Sequence, residues 1–469
     1  MKALLFDLQK YGSATAIIEG DRSYTYDELF AASEEFIAKI GERTVCFLLT
    51  SNTFASVAGY VGCINHGIVP VMLDGGQHAE LLREMLELYR PSFLWLPEGR
   101  LADFPKDYTE IFRSGGYVLL SAKEHCPFAL SEELALLITT SGSTGSPKLV
   151  RQSYQNILAN TKSIVEYLHI TPGERAITSL PMNYVYGLSV VNTHLFAGAT
   201  LVLTSLNCYS PKFWKYFHEM QATSFAGVPF MYEMLAKLRV TKSKNLETLR
   251  TLTQAGGKLS PELHKVFAEF AAAIGKSFVV MYGASEATAR MGYLPPEKAL
   301  EKTGSMGIAI PGGRFELLDA DGKVVEGADS VGELVYYGEN VTLGYAERGE
   351  DLALGDENGG RLLTGDMAKR DADGYYYVVG RKKRFVKILG KRLNLDELER
   401  NLKNELGSID VACAGRDDLL KVYLTSESLA EPATDYVFGK VGVSRGLFQV
   451  LIVPEIPKNA SGKILYSEL

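Results

Sequence analysis

Cysteine is scarce: five residues, Cys46, Cys63, Cys126, Cys208 and Cys413, are scattered over a chain of 469. Their number is odd and no two form a CxxC pair, so neither a disulfide framework nor a cysteine-built zinc site is indicated. A basic surplus is also missing. Lys plus Arg is 49 against 56 for Asp plus Glu, a net charge of −7, and a nucleic-acid partner, which demands a basic surface, is not expected. The most apolar long stretch, Phe47 to Leu73, is broken by Ser51, Asn52, Asn65, His66, Gly67 and Pro70, which leaves no run long enough to span a bilayer. The opening residues Met1 to Phe6 meet Asp7 before an export-signal core could form. Together these absences predict a cytoplasmic protein without a membrane span.

What is present is ordinary for a soluble globular chain: 46% hydrophobic and 22% charged residues. The length suggests about three domain-sized units. Amphipathic helix patterns alternate with short apolar strands over the first half. Tyr26 to Ile40 reads as helix, Thr44 to Leu49 as strand, Thr53 to His66 as helix and Val69 to Leu73 as strand. The pattern recurs from Ser153 to Leu238, and such alternation predicts parallel βαβ units. From about Gly304, Gly and Asp punctuate short strands (Phe315 to Leu318, Gly332 to Tyr336, Tyr375 to Val379), the texture of an antiparallel, barrel-like region. After the basic run Arg381 to Arg384, a helix at Asp396 to Glu405 and strands at 410–414, 421–424 and 447–453 form a last small domain.

The sharpest local signal is an apolar strand, Leu134 to Ile138, running into Thr139-Thr140-Ser141-Gly142-Ser143-Thr144-Gly145-Ser146-Pro147-Lys148. Glycines let backbone N–H groups close on an anion, hydroxyls add donors, and the lysine adds charge, so the loop suits polyphosphate. It is not a Walker A loop, which runs GxxxxGK[ST] straight into a helix. Here Pro147 precedes the lysine, Leu149 to Gln152 reads as extended, and the helix starts only after Ser153, an N-cap residue. The GxGxxG spacing of a dinucleotide fold is absent as well.

The segment Thr140 to Lys148 resembles the signature loop of the adenylate-forming superfamily, which holds acyl-CoA synthetases, peptide-synthetase adenylation domains and firefly luciferase. Leu149 replaces the glycine usual after the lysine. Other motifs of that superfamily follow in order. Gln254-Ala255-Gly256-Gly257-Lys258 resembles its adenine-side glycine segment, and Met281-Tyr282-Gly283-Ala284-Ser285-Glu286 its Tyr-Gly-x-Thr-Glu motif, with Ser285 keeping the hydroxyl of the usual threonine. Thr364-Gly365-Asp366 with Gly380-Arg381 resembles the ribose-binding stretch, Lys383 the hinge, Gly390-Lys391-Arg392 the loop turned toward the pantetheine thiol, and Pro457 to Ile464 the closing motif with Lys463.

The resemblance implies an α/β fold: a large N-terminal domain, residues 1–380, of α/β-α layered subdomains plus a distorted β-barrel, and a small mobile α+β C-terminal domain, residues 381–469. It implies ATP-dependent conversion of a carboxylic acid to acyl-AMP with release of pyrophosphate, then transfer to a thiol of CoA or of a phosphopantetheinyl carrier protein. By that likeness Thr140, Ser141, Gly142, Ser143, Thr144, Gly145 and Lys148 hold the phosphates, and Gly256, Gly257, Lys258, Tyr282 and Gly283 flank adenine. Ser285 touches the α-phosphate, Glu286 ligates Mg²⁺, Asp366 and Arg381 meet the ribose, Arg392 approaches after a swing about Lys383, and Lys463 bridges carboxylate and α-phosphate. The chemistry is consistent with these types. Two anions must meet at one phosphorus, so cations and positioning are needed, while a carboxylate already ionised at pH 7 needs no general base. One carboxylate with phosphate oxygens suffices for Mg²⁺.

The acid would be read by Leu180 to Ser189 and by surrounding walls: Tyr184, Tyr186, Gly187, Val228, Gly256 and Met291. Amino-acid-activating relatives place an aspartate in the first of these segments. No Asp or Glu occurs between Leu180 and Gly198, and a buried ammonium without a partner is costly, so a plain acid is expected rather than an α-amino acid. Either Asn183 or Val185 stands where aryl-acid activators carry asparagine. Adenylation toward a non-thiol acceptor is the second reading. Nucleotide binding without turnover is the third, and the joint presence of Glu286 and Lys463 argues against it.

Overall fold

The computed structural model describes residues 5–469 except 78, 105–106, 140–147, 243–245, 389–390, 408–409, 417 and 460–461. Two compact units emerge, one from Met1–Arg314 with Tyr337–Leu362, the other from Phe315–Tyr336 with Leu363–Leu469.

The first unit is built on two large sheets. In the first, Val45–Thr50 lies between Val69–Asp74 and Phe93–Pro97, parallel to both, and Val69–Asp74 is parallel to Leu134–Thr139. Every residue of Val45–Thr50 is buried, because helices cover a parallel sheet on both faces and its central strands must be apolar on both sides. Helix Phe54–His66 supplies such cover. Thr53 caps its start by accepting from Ser56 N–H, and Gly67, at φ 79°, closes its end. The second sheet carries Thr15–Glu19, Thr200–Leu203, Arg175–Ile177, Ser224–Gly227, Thr251–Gln254 and Ser277–Tyr282 in parallel. The parallel βαβ expectation is met in both sheets. The antiparallel hairpins Thr15–Glu19/Arg22–Thr25 and Tyr108–Ser114/Tyr117–Ala122 at their edges add to that pattern.

The second unit contains most of a four-stranded sheet ordered Arg314–Leu318, Val331–Tyr337, Arg361–Arg370, Tyr376–Arg381, whose last two strands pair antiparallel. Its C-terminal part is α+β: helix Leu395–Leu406 packs Leu395, Leu398 and Leu402 against Val411, Cys413 and Val422 of the sheet Val411–Arg416, Leu419–Leu424, Phe448–Ile452. Buried Glu399 is tied down by the Arg384 guanidinium, by Cys413 N–H at 2.6 Å and by Tyr466 Oη at 2.9 Å. The fold is thus mixed α/β with a large N-terminal and a smaller C-terminal part, as expected. Among the described residues no helix is long and apolar enough to cross a membrane.

Candidate active site

Strand Leu134–Thr139 pairs antiparallel with Leu149–Ser153, Thr139 facing Leu149. Helix Tyr154–Leu168 begins only then, with Ser153 Oγ accepting from Asn156 N–H at 3.0 Å. The extended stretch after the lysine is therefore real, and a P-loop arrangement is excluded. Thr140, Ser141, Gly142, Ser143, Thr144 and Gly145 lie outside the described residues.

Lys148 is described, and its surroundings are informative. Strand Gly344–Ala346 pairs with Leu149–Arg151, placing Tyr345 opposite Val150. The Lys148 ammonium lies 3.6 Å from the Tyr345 ring centroid and 3.1 Å from Glu347 Oε1. Tyr345 Oη in turn donates to Glu286 Oε1 at 2.6 Å. One tyrosine thus couples the expected phosphate lysine to the expected metal carboxylate. Nothing in the sequence singled it out. Burial, then the hydrogen bond and charge of Glu286, push its hydroxyl well above the ordinary tyrosine range, so it stays a donor at neutral pH.

Glu286 sits on a rigid mount. After strand Ser277–Tyr282 the chain makes a short turn, Ser285–Ala287, and then a γ-turn at Thr288, φ 64° and ψ −61°, closed by Ala289 N–H donating to Ala287 O at 2.7 Å. This strained geometry is over-determined by its neighbours. Thr342 donates to Glu286 O through both Oγ1 and N–H at 3.0 Å. Asn340 Nδ2 donates to Ala287 O at 2.9 Å and to Arg290 O at 2.8 Å, while Asn160 Nδ2 donates to Arg290 O at 2.9 Å. A Cβ at Gly283 would collide with the Ala289 carbonyl, which explains that glycine. Among the described residues no group of three or more His, Cys, Asp or Glu could form a metal cage, and Glu286 Oε2 meets no donor or cation. One half-exposed carboxylate, oriented through one oxygen and open at the other, fits an ion whose remaining ligands are phosphate and water.

The acid-side residues come together in part. Gly256 has φ 85°, and a Cβ there would stand 2.6 Å from Tyr184 Oη and 3.0 Å from Val228 Cγ1. Glycine is what lets those two side chains close on the backbone. Two buried acceptors on the same segments, Asn183 Oδ1 and Gln254 Oε1, have no hydrogen-bond partner among the described residues. Gly257 and Lys258 are exposed. Tyr186 is buried, shares a 2.8 Å hydrogen bond with Thr253 Oγ1 and meets the Tyr184 ring edge-on, with centroids 6.3 Å apart. Gly187 packs against the Pro181 carbonyl. Met291 is fully buried, and its N–H donates to Tyr282 O at 2.9 Å.

In the second unit, Asp366 and Arg381 are direct cross-strand partners, with Nε 3.0 Å from Oδ1. Lys383 falls in the turn Lys382–Arg384 and Arg392 in strand Lys391–Asn394, opposite Lys387; both side chains lie outside the described residues. Lys463 closes a tight turn. Its N–H donates to Asn459 Oδ1 and its carbonyl accepts from Asn459 N–H, both at 2.9 Å, and its side chain is at the surface.

A family model described as AMP-binding enzyme matches residues 6–346. The chain belongs to that family. Among curated relatives it is 26% identical to the 3-hydroxybenzoate–CoA ligase of Aromatoleum sp. (strain CIB), over 96% of this chain and 91% of that protein. It is likewise 26% identical to the 2-succinylbenzoate–CoA ligase of Bacillus subtilis (strain 168), over 97% and 94%. The fold superposes on o-succinylbenzoate CoA synthetase (MenE) from Bacillus subtilis in complex with the acyl-adenylate OSB-AMP, with TM-score 0.78, 24% identity and coverage of 98% and 96%. ATP-bound MatB from Rhodopseudomonas palustris gives TM-score 0.79 at 20% identity, covering 100% and 98%. The adenylate-forming resemblance drawn from the motifs is borne out by this family assignment.

Proposed function

We propose that this AMP-binding enzyme activates a carboxylic acid with ATP and passes the acyl group to the thiol of CoA. The observation that carries the proposal is the Lys148–Tyr345–Glu286 cluster, a cation and an open carboxylate joined through a strand tyrosine, with Lys148 following the Gly/Ser/Thr segment in sequence. The relatives named as CoA ligases for 3-hydroxybenzoate and 2-succinylbenzoate support the reaction class.

A carboxylate oxygen of the acid attacks the α-phosphorus, the bond to the β-phosphate oxygen breaks, and pyrophosphate leaves. Lys148, with Thr140 to Gly145, holds the departing phosphates, and Ser285 donates to the α-phosphate. A magnesium ion on Glu286 supplies charge neutralisation and Lewis acidity when bound. Tyr282, Gly283, Gly256, Gly257 and Lys258 flank the base, and the Asp366–Arg381 pair faces the ribose. Lys463 stabilises charge as carboxylate and phosphate meet, and rotation of residues 381–469 about Lys383 then exchanges it for the Arg392 loop. The thiol sulfur attacks the acyl carbon, the C–O bond to phosphate breaks, and AMP leaves with the oxygen that came from the acid. The missing acidic residue between Leu180 and Gly198 disfavours an α-amino acid.

The test is pyrophosphate release across a panel of carboxylic acids, followed by addition of CoA or of a phosphopantetheinylated carrier protein. Acid-dependent release with thioester formation on CoA is expected. A thioester on the carrier protein alone reassigns the acceptor, and no acid-dependent release with any acid overturns the proposal.

A further inference from the structure

Arg290 is only 3% exposed. Its guanidinium lies 3.9 Å from the centroid of the Tyr186 ring, and Nε donates to Met281 Sδ at 3.4 Å. Both are weak partners. Among the described residues no carboxylate pairs with it. An enclosed cation whose neighbours are a π face, a thioether and the buried Tyr167 hydroxyl, all uncharged, is a destabilising choice where a hydrophobic residue of similar size would pack, and the γ-turn with Asn160 and Asn340 fixes its backbone in place.

Arg290 helps line a partly open cavity of about 40 Å³ together with Tyr186, Ser189, Thr193, Thr253 and Met281. That is room for about three water-sized groups, the heavy-atom count of one carboxylate. The cavity stands behind the acid-side residues, because Tyr186 and Thr253 form its wall while Tyr184, edge-on to Tyr186, reaches Gly256. Other polar groups on the wall leave the cation uncompensated. Glu174 is engaged by Arg250 Nη1 at 2.8 Å and by the Thr223 hydroxyl. Burial lowers the His194 pKa, and its Nδ1 pairs with Val190 O at 2.8 Å.

We infer that Arg290 is a specificity-determining residue that receives a second anionic group, a carboxylate or sulfonate, at the end of the acid remote from the one that is activated. The inference rests on the acid-activating reading above and narrows it: the substrate is a dianion, activated at one end and held by its charge at the other.

The test pairs α,ω-dicarboxylates and sulfo-carboxylates of two to six carbons, and benzene dicarboxylates, with their monomethyl esters. The wild-type enzyme should favour the dianion of at least one pair by about 10- to 150-fold in kcat/KM, the range for hydrogen bonds to a charged group. Arg290→Met should erase that preference, and Arg290→Lys should restore part of it. With ATP omitted, calorimetric binding of the same dianion should be lost in Arg290→Met. Because the free protein sheds an unpaired buried charge, the melting temperature of Arg290→Met without ligand should rise. Equal activity on ester and dianion in the wild type, or a preference that survives Arg290→Met, overturns the inference. If no acid is activated but Arg290-dependent dianion binding persists, the reaction assignment falls and the anion site stands.

Discussion

Replacing Tyr345 by Phe isolates a single bond. The ring stays under the Lys148 ammonium at 3.6 Å and on its strand opposite Val150, so only the 2.6 Å donor to Glu286 Oε1 is removed. Hydrogen bonds to charged groups contribute about 1.5–3 kcal/mol. Glu286 is half-exposed and water replaces part of the loss, so the low end applies. About 1.5 kcal/mol corresponds to a roughly tenfold fall in kcat/KM. The fall should be accompanied by a rise in the magnesium concentration giving half-maximal rate, because the carboxylate loses its orientation. Tyr345→Ala, which also removes the cation–π contact, should lose roughly a further threefold, from about 0.5–1 kcal/mol. The assay is acid-dependent pyrophosphate release titrated with magnesium at fixed ATP. A Phe variant within twofold of wild type at every magnesium concentration would refute the role given to this tyrosine.

Lys463→Ala should reduce adenylate formation by about 10²- to 10³-fold, the loss expected for one transition-state donor, with ATP affinity by equilibrium binding nearly unchanged; undiminished turnover contradicts the role. Gly256→Ala combines the left-handed backbone at φ 85° with a Cβ 2.6 Å from Tyr184 Oη. It should raise KM for the acid by about tenfold or more, and an unchanged KM would detach Tyr184 from the acid pocket. His264 is 1% exposed, and its Nδ1 accepts from Gly304 N–H at 3.1 Å, which requires that nitrogen unprotonated. Burial lowers its pKa from 6.5. The unfolded chain therefore binds more protons below about pH 6.5, and stability falls as pH drops through that window toward the folded pKa. His264→Gln should flatten this slope in urea titrations between about pH 7.5 and 5.5, although its own midpoint is lower. An unaltered slope removes His264 from the pH response.

Periodicity made the parallel strands legible. Residues 45–49 and 69–73 are apolar and buried because both faces are covered, with the polar Thr50 and Asp74 only at the strand ends, and helix starts at Thr53 and Ser153 carry cap chemistry. The edge hairpins escaped because strands such as Tyr108–Ser114, mostly exposed and carrying charged Glu110 and Arg113, lack an apolar run. Motif residues with distinctive chemistry, Glu286 and Lys148, could be nominated from their order along the chain. Tyr345 could not, since its importance comes from the pairing of Gly344–Ala346 with Leu149–Arg151, a contact between distant segments. Arg290 is invisible for a related reason: only the fold shows that this arginine is enclosed, with no carboxylate paired to it among the described residues.

The central claim is that an oxygen of the acid becomes bonded to the α-phosphorus of ATP. Turnover of an activated acid carrying ¹⁸O in its carboxyl group, with magnesium and CoA present, tests it directly by mass spectrometry of the products. The account predicts one heavy oxygen in AMP and none in pyrophosphate; label in inorganic phosphate alongside ADP, or AMP without label, would contradict it.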